Sequence, residues 1–223
     1  MKIVLGSGSP RRKQLLTELG YTFRVISSNV DETPSPGLAR EEIALSIAKR
    51  KTSELMNKLA DDEILITADT IVWIENQLLE KPKDESEAFR MLSILNGQTH
   101  QVYTGVCLAT NANKIVFSSK SNVTFKKVKA ELLLDYIHQC KPFDKAGSYG
   151  AQECLPEGKN YCSDEERQFL FSIGQPFLFE KSLAVESGKH FPIIDAIEGS
   201  YFNVMGLPIV ELHKHLLSFL PSS

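Results

Sequence analysis

The chain predicts a mixed α/β fold, and three patterns carry that reading. Apolar runs of strand length, Ile64-Leu65-Ile66 and Ile71-Val72-Trp73-Ile74, alternate with apolar residues at helical spacing, Ile43, Ile47, Leu55 and Leu59. Helix start and stop residues flank segments of the second kind, Ser9-Pro10 ahead of the first helix with Gly20 behind it, and Asp84 ahead of another with Gly97 behind it. Hydrophobic residues make up 42% and charged residues 24% of 223, which suits one large domain or two closely joined lobes around a substantial core.

Lys2-Ile3-Val4-Leu5 reads as a short strand. Ser9 then supplies an N-cap, Pro10 the first helical position and Gly20 the C-terminal stop of the first helix. A strand over residues 22–26 and a proline-rich loop over 31–37, which carries Asp31 and Glu32, lead into a long helix over about 40–59. The apolar runs 64–66 and 71–74 are strands, the second opening a hairpin that reaches Leu79. A helix over 84–95 follows, with Asp84 and Glu87 spaced for reciprocal capping. Residues 101–110 and 115–125 form a hairpin through Asn111-Ala112-Asn113, and 130–139 form the next helix. The last helix, 208–219, starts with Pro208 after Gly206 and packs Val210, Leu212, Leu216 and Leu217. Residues 154–195 are turn-rich and only partly periodic.

A formal net charge of -3 provides no basic field for nucleic acid. No apolar run approaches the ~20 residues that span a bilayer, and the chain enters a strand without a charged-then-apolar leader, so the expected address is cytoplasmic. Cys107, Cys140, Cys154 and Cys162 contain no C-x-x-C pair and are expected as reduced thiols.

Several residues stand against their own patterns. A helix N-terminus favours acidic side chains, yet the first turn here holds Arg11, Arg12 and Lys13 behind the glycine- and serine-rich turn Gly6-Ser7-Gly8-Ser9. Exposed backbone N–H groups, the hydroxyls of Ser7 and Ser9 and a guanidinium pair suit a phosphate chain; the alternative is a solvated basic helix start. Lys51 falls in the apolar register 43, 47, 51, 55, 59, so it faces a phosphate in a cleft or snorkels to the surface. Asp69 follows the run 64–68 at what reads as the C-terminal end of a buried strand, where α/β folds place ligands, or it caps a turn there. The hairpin to Leu79 brings Lys81 back towards Asp69. Residues 144–152 are rich in small side chains and form either a surface loop or a close approach to a ligand. Among them are Lys145, Tyr149, which is able to stack or hydrogen-bond, and Gln152, which offers the donor and acceptor of a pyrimidine-reading side chain.

The ordered set Gly6-Ser7-Gly8-Ser9-Pro10-Arg11-Arg12, Ala68-Asp69-Thr70, Glu80-Lys81-Pro82, Gly97-Gln98-Thr99-His100, Thr104-Gly105-Val106, Asp144-Lys145-Ala146-Gly147 and Gly199-Ser200-Tyr201-Phe202-Asn203-Val204 resembles the Maf-like nucleotide pyrophosphatases, or septum-formation proteins. The resemblance implies a single domain over 1–223 with two lobes around an elongated, curved mixed sheet flanked by helices, similar to the inosine triphosphate pyrophosphatases, with the active cleft between the lobes. It implies hydrolysis of a nucleoside triphosphate to the monophosphate and pyrophosphate with a divalent cation, Mg2+ or Mn2+. By position, Asp69 matches the proton acceptor, Arg12, Lys51 and Lys81 the basic phosphate-side residues, and Glu32 an acidic residue beside the metal, so Asp69 and Glu32 are the implied metal ligands. Arg11, Thr70 and Gln152 match the branch that takes dTTP and UTP rather than 7-methyl-GTP. A homodimer is implied as well.

The likeness breaks at about 154–195. Family members pass between the positions of Gln152 and Ile197 in about ten residues, whereas this chain uses 44, a length at which loops carry structure or function of their own. The implied insertion contains Cys154, Cys162, an acidic patch at Asp164-Glu165-Glu166 and the apolar cluster Phe169, Leu170, Phe171, Phe177, Leu178 and Phe179. That content predicts a segment packed on the body or a partner, and a lid over the cleft. Cys154, Cys162 and His190 fit no common zinc spacing. A rival to catalysis is a nucleotide-binding regulator of cell division that uses the same pocket without turnover. The glycine patterns of P-loop kinases and dinucleotide-binding enzymes are absent from the first turn.

Overall fold

The computed structural model describes residues 1–176, 178 and 190–219. It opens with β1 (Lys2–Leu5), α1 (Pro10–Glu18) and β2 (Phe23–Val25), then α2 (Glu41–Leu55) with a 3-10 turn at Met56–Lys58. Ser9 caps α1 by accepting from the Arg12 N–H, as its sequence predicts. β3 (Glu63–Ile74) turns through Glu75 and Asn76, both at positive φ (46° and 65°), into β4 (Gln77–Leu79). Next come α3 (Glu85–Leu95), β5 (Thr99–Ala109), β6 (Lys114–Phe125) and α4 (Ala130–Cys140). The C-terminal third holds α5 (Ala151–Cys154), α6 (Asp164–Ser172), β7 (Ile194–Glu198), α7 (Tyr201–Met205) and α8 (Ile209–Ser218).

The strands form one mixed sheet in the order β2-β1-β3-β5-β6-β7, with β4 on β3. β1 pairs parallel with β2 and β3, and the remaining pairs are antiparallel. β3 is the pivot. Its residues Ile64, Ile66, Ala68, Val72 and Ile74 face the main core beside Leu15, Leu92, Tyr136 and Phe202, whereas Ile71 and Trp73 face Ile43, Ala44 and Ile47 of α2. α2 lies so close to β5 that a Cβ on Gly105 would stand 2.5 Å from the Leu45 backbone nitrogen and 2.6 Å from the Ala44 carbonyl carbon. Only glycine admits that approach.

Three expectations are corrected. The runs 64–66 and 71–74 are one 12-residue strand, so Asp69 lies inside it rather than at its end. The polar interruption does not break the ladder, because β5 pairs through it, with Asp69 opposite Gly105 and Thr70 opposite Thr104. The helix expected over 40–59 stops at Leu55 and tightens into the 3-10 turn. Asp84 caps α3 through the Glu87 N–H, but the Glu87 carboxylate accepts from the Lys83 N–H, one residue ahead of the expected partner. Within the acidic patch at 164–166, Glu166 is 1% exposed. Of the apolar cluster expected in that region, Leu170 and Leu178 are buried and Phe171 is exposed, while Phe177 and Phe179 lie outside the described residues. Among the described residues no helix is long and apolar enough to cross a membrane, and none of the four cysteines is in a disulfide.

Candidate active site

The sheet itself creates the opening. β1 pairs with β3 only as far as Leu5 opposite Ile66, and β4 joins β3 only from Val72, which leaves the edge of β3 uncovered around Asp69 and Thr70. Successive residues of a strand point to opposite faces, so Asp69 turns to the α2 side and Thr70 to the α1 side of this edge. A cleft of about 320 Å³ occupies the gap.

On the α1 side the cleft is anchored by Arg12, which is buried and held at three points. Its Nε donates to the Gly206 carbonyl (2.8 Å), Nη1 to the Ser7 hydroxyl (3.1 Å) and Nη2 to the Thr70 hydroxyl (3.0 Å). Thr70 is held in turn by Thr104 at 2.9 Å. Three of five guanidinium N–H groups are thereby used, which leaves one on each terminal nitrogen for a ligand. Ser7 Oγ also accepts from the Ser9 N–H at 3.2 Å, so both serines shape the turn that presents its backbone to the cleft.

On the α2 side, the Lys51 ammonium stands 2.7 Å from Asp69 Oδ1 and 2.7 Å from Glu32 Oε1, and Lys81 reaches Glu32 Oε2 at 2.8 Å. Burial raises the Asp69 carboxyl above its ordinary value, against the pull of Lys51 and Arg12. Burial acts on Glu32 in the same direction, but the two ammoniums outweigh it and hold that carboxyl down to about 2. A third wall comes from the segment after α4, where Asp144 binds Lys145 at 2.8 Å and stands 3.6 Å from Arg11. The Gly147 N–H donates to the Glu80 carbonyl at 3.1 Å, which fastens this segment beside Lys81.

Among the residues expected to form a site, Ser7, Ser9, Arg11, Arg12, Glu32, Lys51, Asp69, Thr70, Lys81, Lys145 and Tyr149 all line the cleft. Gln152 does not; it is buried on α5, one residue beyond the lining Ala151. The Tyr149 hydroxyl is engaged by His100 Nε2 at 2.8 Å, and its ring meets His100 and Phe125 edge-on. Two parts escaped the sequence reading, the Gly206 carbonyl that locks Arg12 and the Asp144 carboxylate between Lys145 and Arg11. The glycine stop before Pro208 was the available signal for the first.

The lining carries five cations, Arg11, Arg12, Lys51, Lys81 and Lys145, against three carboxylates, Glu32, Asp69 and Asp144. A chain of net charge -3 thus holds a cationic recess, the arrangement that concentrates a polyanion. The donor set also suits a hard cation. Glu32 and Asp69 already share one positive centre, and Mg2+ binds through one or two carboxylates with phosphate oxygens and waters completing its shell. No group of three or more His, Cys, Asp or Glu side chains able to hold a metal occurs among the described residues, so the other ligands would come from substrate and water.

The chain is similar to known proteins. The family model described as Maf-like protein matches residues 2–157. A dTTP/UTP pyrophosphatase of Phocaeicola vulgatus is 40% identical over 216 residues, covering 96% of this chain and 94% of that one. A dTTP/UTP pyrophosphatase of Caldicellulosiruptor saccharolyticus is 36% identical over 220 residues, covering 96% and 93%. Among solved structures, the Staphylococcus aureus Ham1 protein aligns at 15% identity with a TM-score of 0.40, covering 58% of this chain and 74% of that one.

Proposed function

The chain belongs to the Maf-like protein family, and from that premise we propose that it hydrolyses dTTP and UTP to the nucleoside monophosphate and pyrophosphate. One observation carries the reading. A guanidinium pinned at three points faces, across one cationic cleft, a buried carboxylate paired with a lysine. Such an arrangement binds a chain of phosphates and offers a base beside it.

The residues divide the work. Arg12, with one N–H left on each terminal nitrogen, grips a phosphate through two parallel hydrogen bonds, and the turn at Ser7–Ser9 adds backbone donors. Asp69 accepts a proton from water as its oxygen attacks the α-phosphorus. The bond to the bridging oxygen breaks, and pyrophosphate leaves with its charge met by Lys51 and Lys81. Burial suits Asp69 to this task, since a raised carboxyl is a better proton acceptor than a solvated one. A divalent cation, Mg2+ or Mn2+, held by Glu32 and Asp69 would supply further neutralisation of the phosphate oxygens. Arg11, beside Asp144 and Lys145, selects the nucleotide together with Thr70, whereas Gln152 lies off the cleft lining. A cytoplasmic homodimer, with the segment 154–195 as an insertion, belongs to the same proposal; residues 177 and 179–189 of that segment lie outside the described residues.

Pyrophosphate release across a panel of nucleoside triphosphates, with and without Mg2+, tests it. The expected result is metal-dependent turnover with dTTP and UTP ahead of all others. A preference for 7-methyl-GTP or for purine triphosphates overturns the substrate assignment, and an Asp69→Asn variant with unchanged turnover overturns the proton acceptor. Tight nucleotide binding without turnover in the native chain would instead mark a nucleotide-sensing regulator.

A further inference from the structure

α6 carries one buried carboxylate into the rest of the molecule, beside the core contact of Leu170. Glu166 Oε2 accepts from the Ser163 N–H (2.9 Å), completing the capping box of its own helix, and from the Tyr201 N–H (3.1 Å). Its Oε1 accepts from the Ser200 hydroxyl (2.5 Å) and the Phe202 N–H (3.1 Å). Three of these four donors belong to the start of α7, whose orphan N–H groups would otherwise be buried without acceptors.

α7 is five residues long, too short to hold its own geometry, so its position is set by what it is tied to. Its middle is tied to the sheet. The Asn203 amide donates to the Val102 carbonyl (3.1 Å) and the Ser121 hydroxyl (2.9 Å), and the Asn203 carbonyl accepts from Thr104 (3.1 Å). Its far end is Gly206, at a φ of 109°, whose carbonyl accepts from Arg12 Nε at 2.8 Å. The helix is therefore a short rod with Glu166 on one end and the phosphate-gripping arginine on the other.

We infer that Glu166 is a positioning residue for Arg12: it fixes the first turn of α7, α7 fixes the Gly206 carbonyl, and that carbonyl sets the direction of the guanidinium fork in the cleft. The kinetic consequence rests on the reading of Arg12 as a phosphate ligand given above, whereas the geometric one does not. The segment between α5 and β7 thereby acts on the cleft from behind, as a brace, in addition to any part it plays in covering the opening. A plain cap would behave differently, since it would support the stability of the fold and leave Arg12 alone.

The test reads the Arg12 Nε–H signal in a nitrogen–proton correlation spectrum of the full chain, assigned by its loss in Arg12→Lys. In Glu166→Ala the signal is expected to shift, and its exchange with water to accelerate by about tenfold. Glu165→Ala, on the same helix and paired with the exposed Lys214, is expected to leave it in place. Kinetically, Glu166→Ala is expected to raise the KM for dTTP by about tenfold, the loss that goes with one misplaced charge-assisted hydrogen bond, with kcat changed much less. In an Arg12→Lys background the same substitution is expected to add nothing. An Arg12 signal that stays put while the melting temperature falls overturns the inference, as does an equal rise in KM in both backgrounds. If the native chain turns over no nucleotide, the proposed function fails and the Arg12 signal alone decides this inference. Should Glu166→Ala not fold, Glu166→Gln, which keeps the shape and loses the charge, is read in the same way with a smaller shift.

Discussion

Lys51 has two carboxylate oxygens at 2.7 Å from one nitrogen, and its surroundings make its charge indispensable. Asp69 is buried, and burial already raises its carboxyl, with Lys51 as the first of the charges that oppose the rise. Lys51→Met removes that opposition, so the Asp69 carboxyl climbs further. The acid limb of the kcat/KM profile for dTTP is expected to move to higher pH, with activity at pH 7 lower by about a hundredfold. The sign for stability follows from the same group. A carboxyl raised in the folded state binds its proton more tightly there than in the unfolded chain, so stability is lost as pH rises through its titration. Urea unfolding of Lys51→Met is therefore expected to show a loss of about 3 kcal/mol at pH 8, where Asp69 must be charged without its partner, and a smaller loss at pH 5. Equal losses at both values would mean that Asp69 is not the group concerned. Arg11 makes a separable prediction, since among the described residues it is ion-paired with Asp144 alone, at 3.6 Å, whereas Arg12 is locked by three bonds. Arg11→Ala is expected to narrow the preference for dTTP over purine triphosphates while Arg12→Lys weakens all nucleotides alike, measured as kcat/KM across the panel. Both arginines and Lys51 were legible in the sequence because each is a charge where its local pattern calls for something else. Gln152 was less legible. A run of small residues signals a close approach without telling which side chains turn towards the opening, and the structure turns Gln152 into the body.

Between elements, the decisive contact is α2 against β5, because Lys51 rides on α2 and Asp69 on the strand that β5 pairs with. Gly105 is what lets them meet, with the backbone of Ala44 and Leu45 within 2.8 Å of where its Cβ would lie. Backbone cannot swing aside as a long side chain does. Gly105→Ala is accordingly expected to push α2 outward, lowering stability by about 3 kcal/mol in urea unfolding and cutting dTTP turnover through the displaced lysine. Turnover that survives in the folded variant would show that the register of α2 on the sheet does not set the Lys51–Asp69 pair. The regular elements were readable from periodicity and caps, and two departures show where such reading stops. β3 reads as two strands because Thr67, Asp69 and Thr70 interrupt its apolar run, yet a central strand is held by ladder bonds that are blind to side chains, and β5 provides them across the whole interruption. α6 carries the start signal Ser163-x-x-Glu166, but the stretch around it is turn-rich and only partly periodic. The same Glu166 that closes the capping box also caps a second helix, and only that tertiary contact buries it.

Across the whole molecule, His100 ties the sheet to the segment that carries Asp144 and Lys145. It sits on β5, its Nε2 is 2.8 Å from the Tyr149 hydroxyl, and Phe125 packs edge-on to both rings. Burial lowers the imidazole from an ordinary 6.5 to about 3, so the folded chain keeps it neutral where the unfolded chain protonates it. A group with a depressed folded value contributes stability that is present above its unfolded value and lost as pH falls through the window between the two, here from 6.5 to about 3. Glu32, held down to about 2 against an ordinary 4.5, adds its own loss only below 4.5, and Glu63 with its Arg24 pair does the same. Asp69 runs the other way, since its raised carboxyl gains as pH falls. The upper part of the acid limb, between pH 6 and 4.5, therefore belongs to the histidines that burial lowers, His100 and, in the same direction, His213. In that window the unfolding free energy is expected to fall by up to about 1.4 kcal/mol per pH unit. His100→Gln retains a hydrogen-bonding group for Tyr149 and has nothing to titrate, so its stability is expected to start lower at pH 7 and to decline less steeply down to pH 4.5. Urea midpoints at half-unit intervals measure both curves. Parallel slopes would remove His100 from the account and leave the acid sensitivity in that window to His213, which burial also lowers.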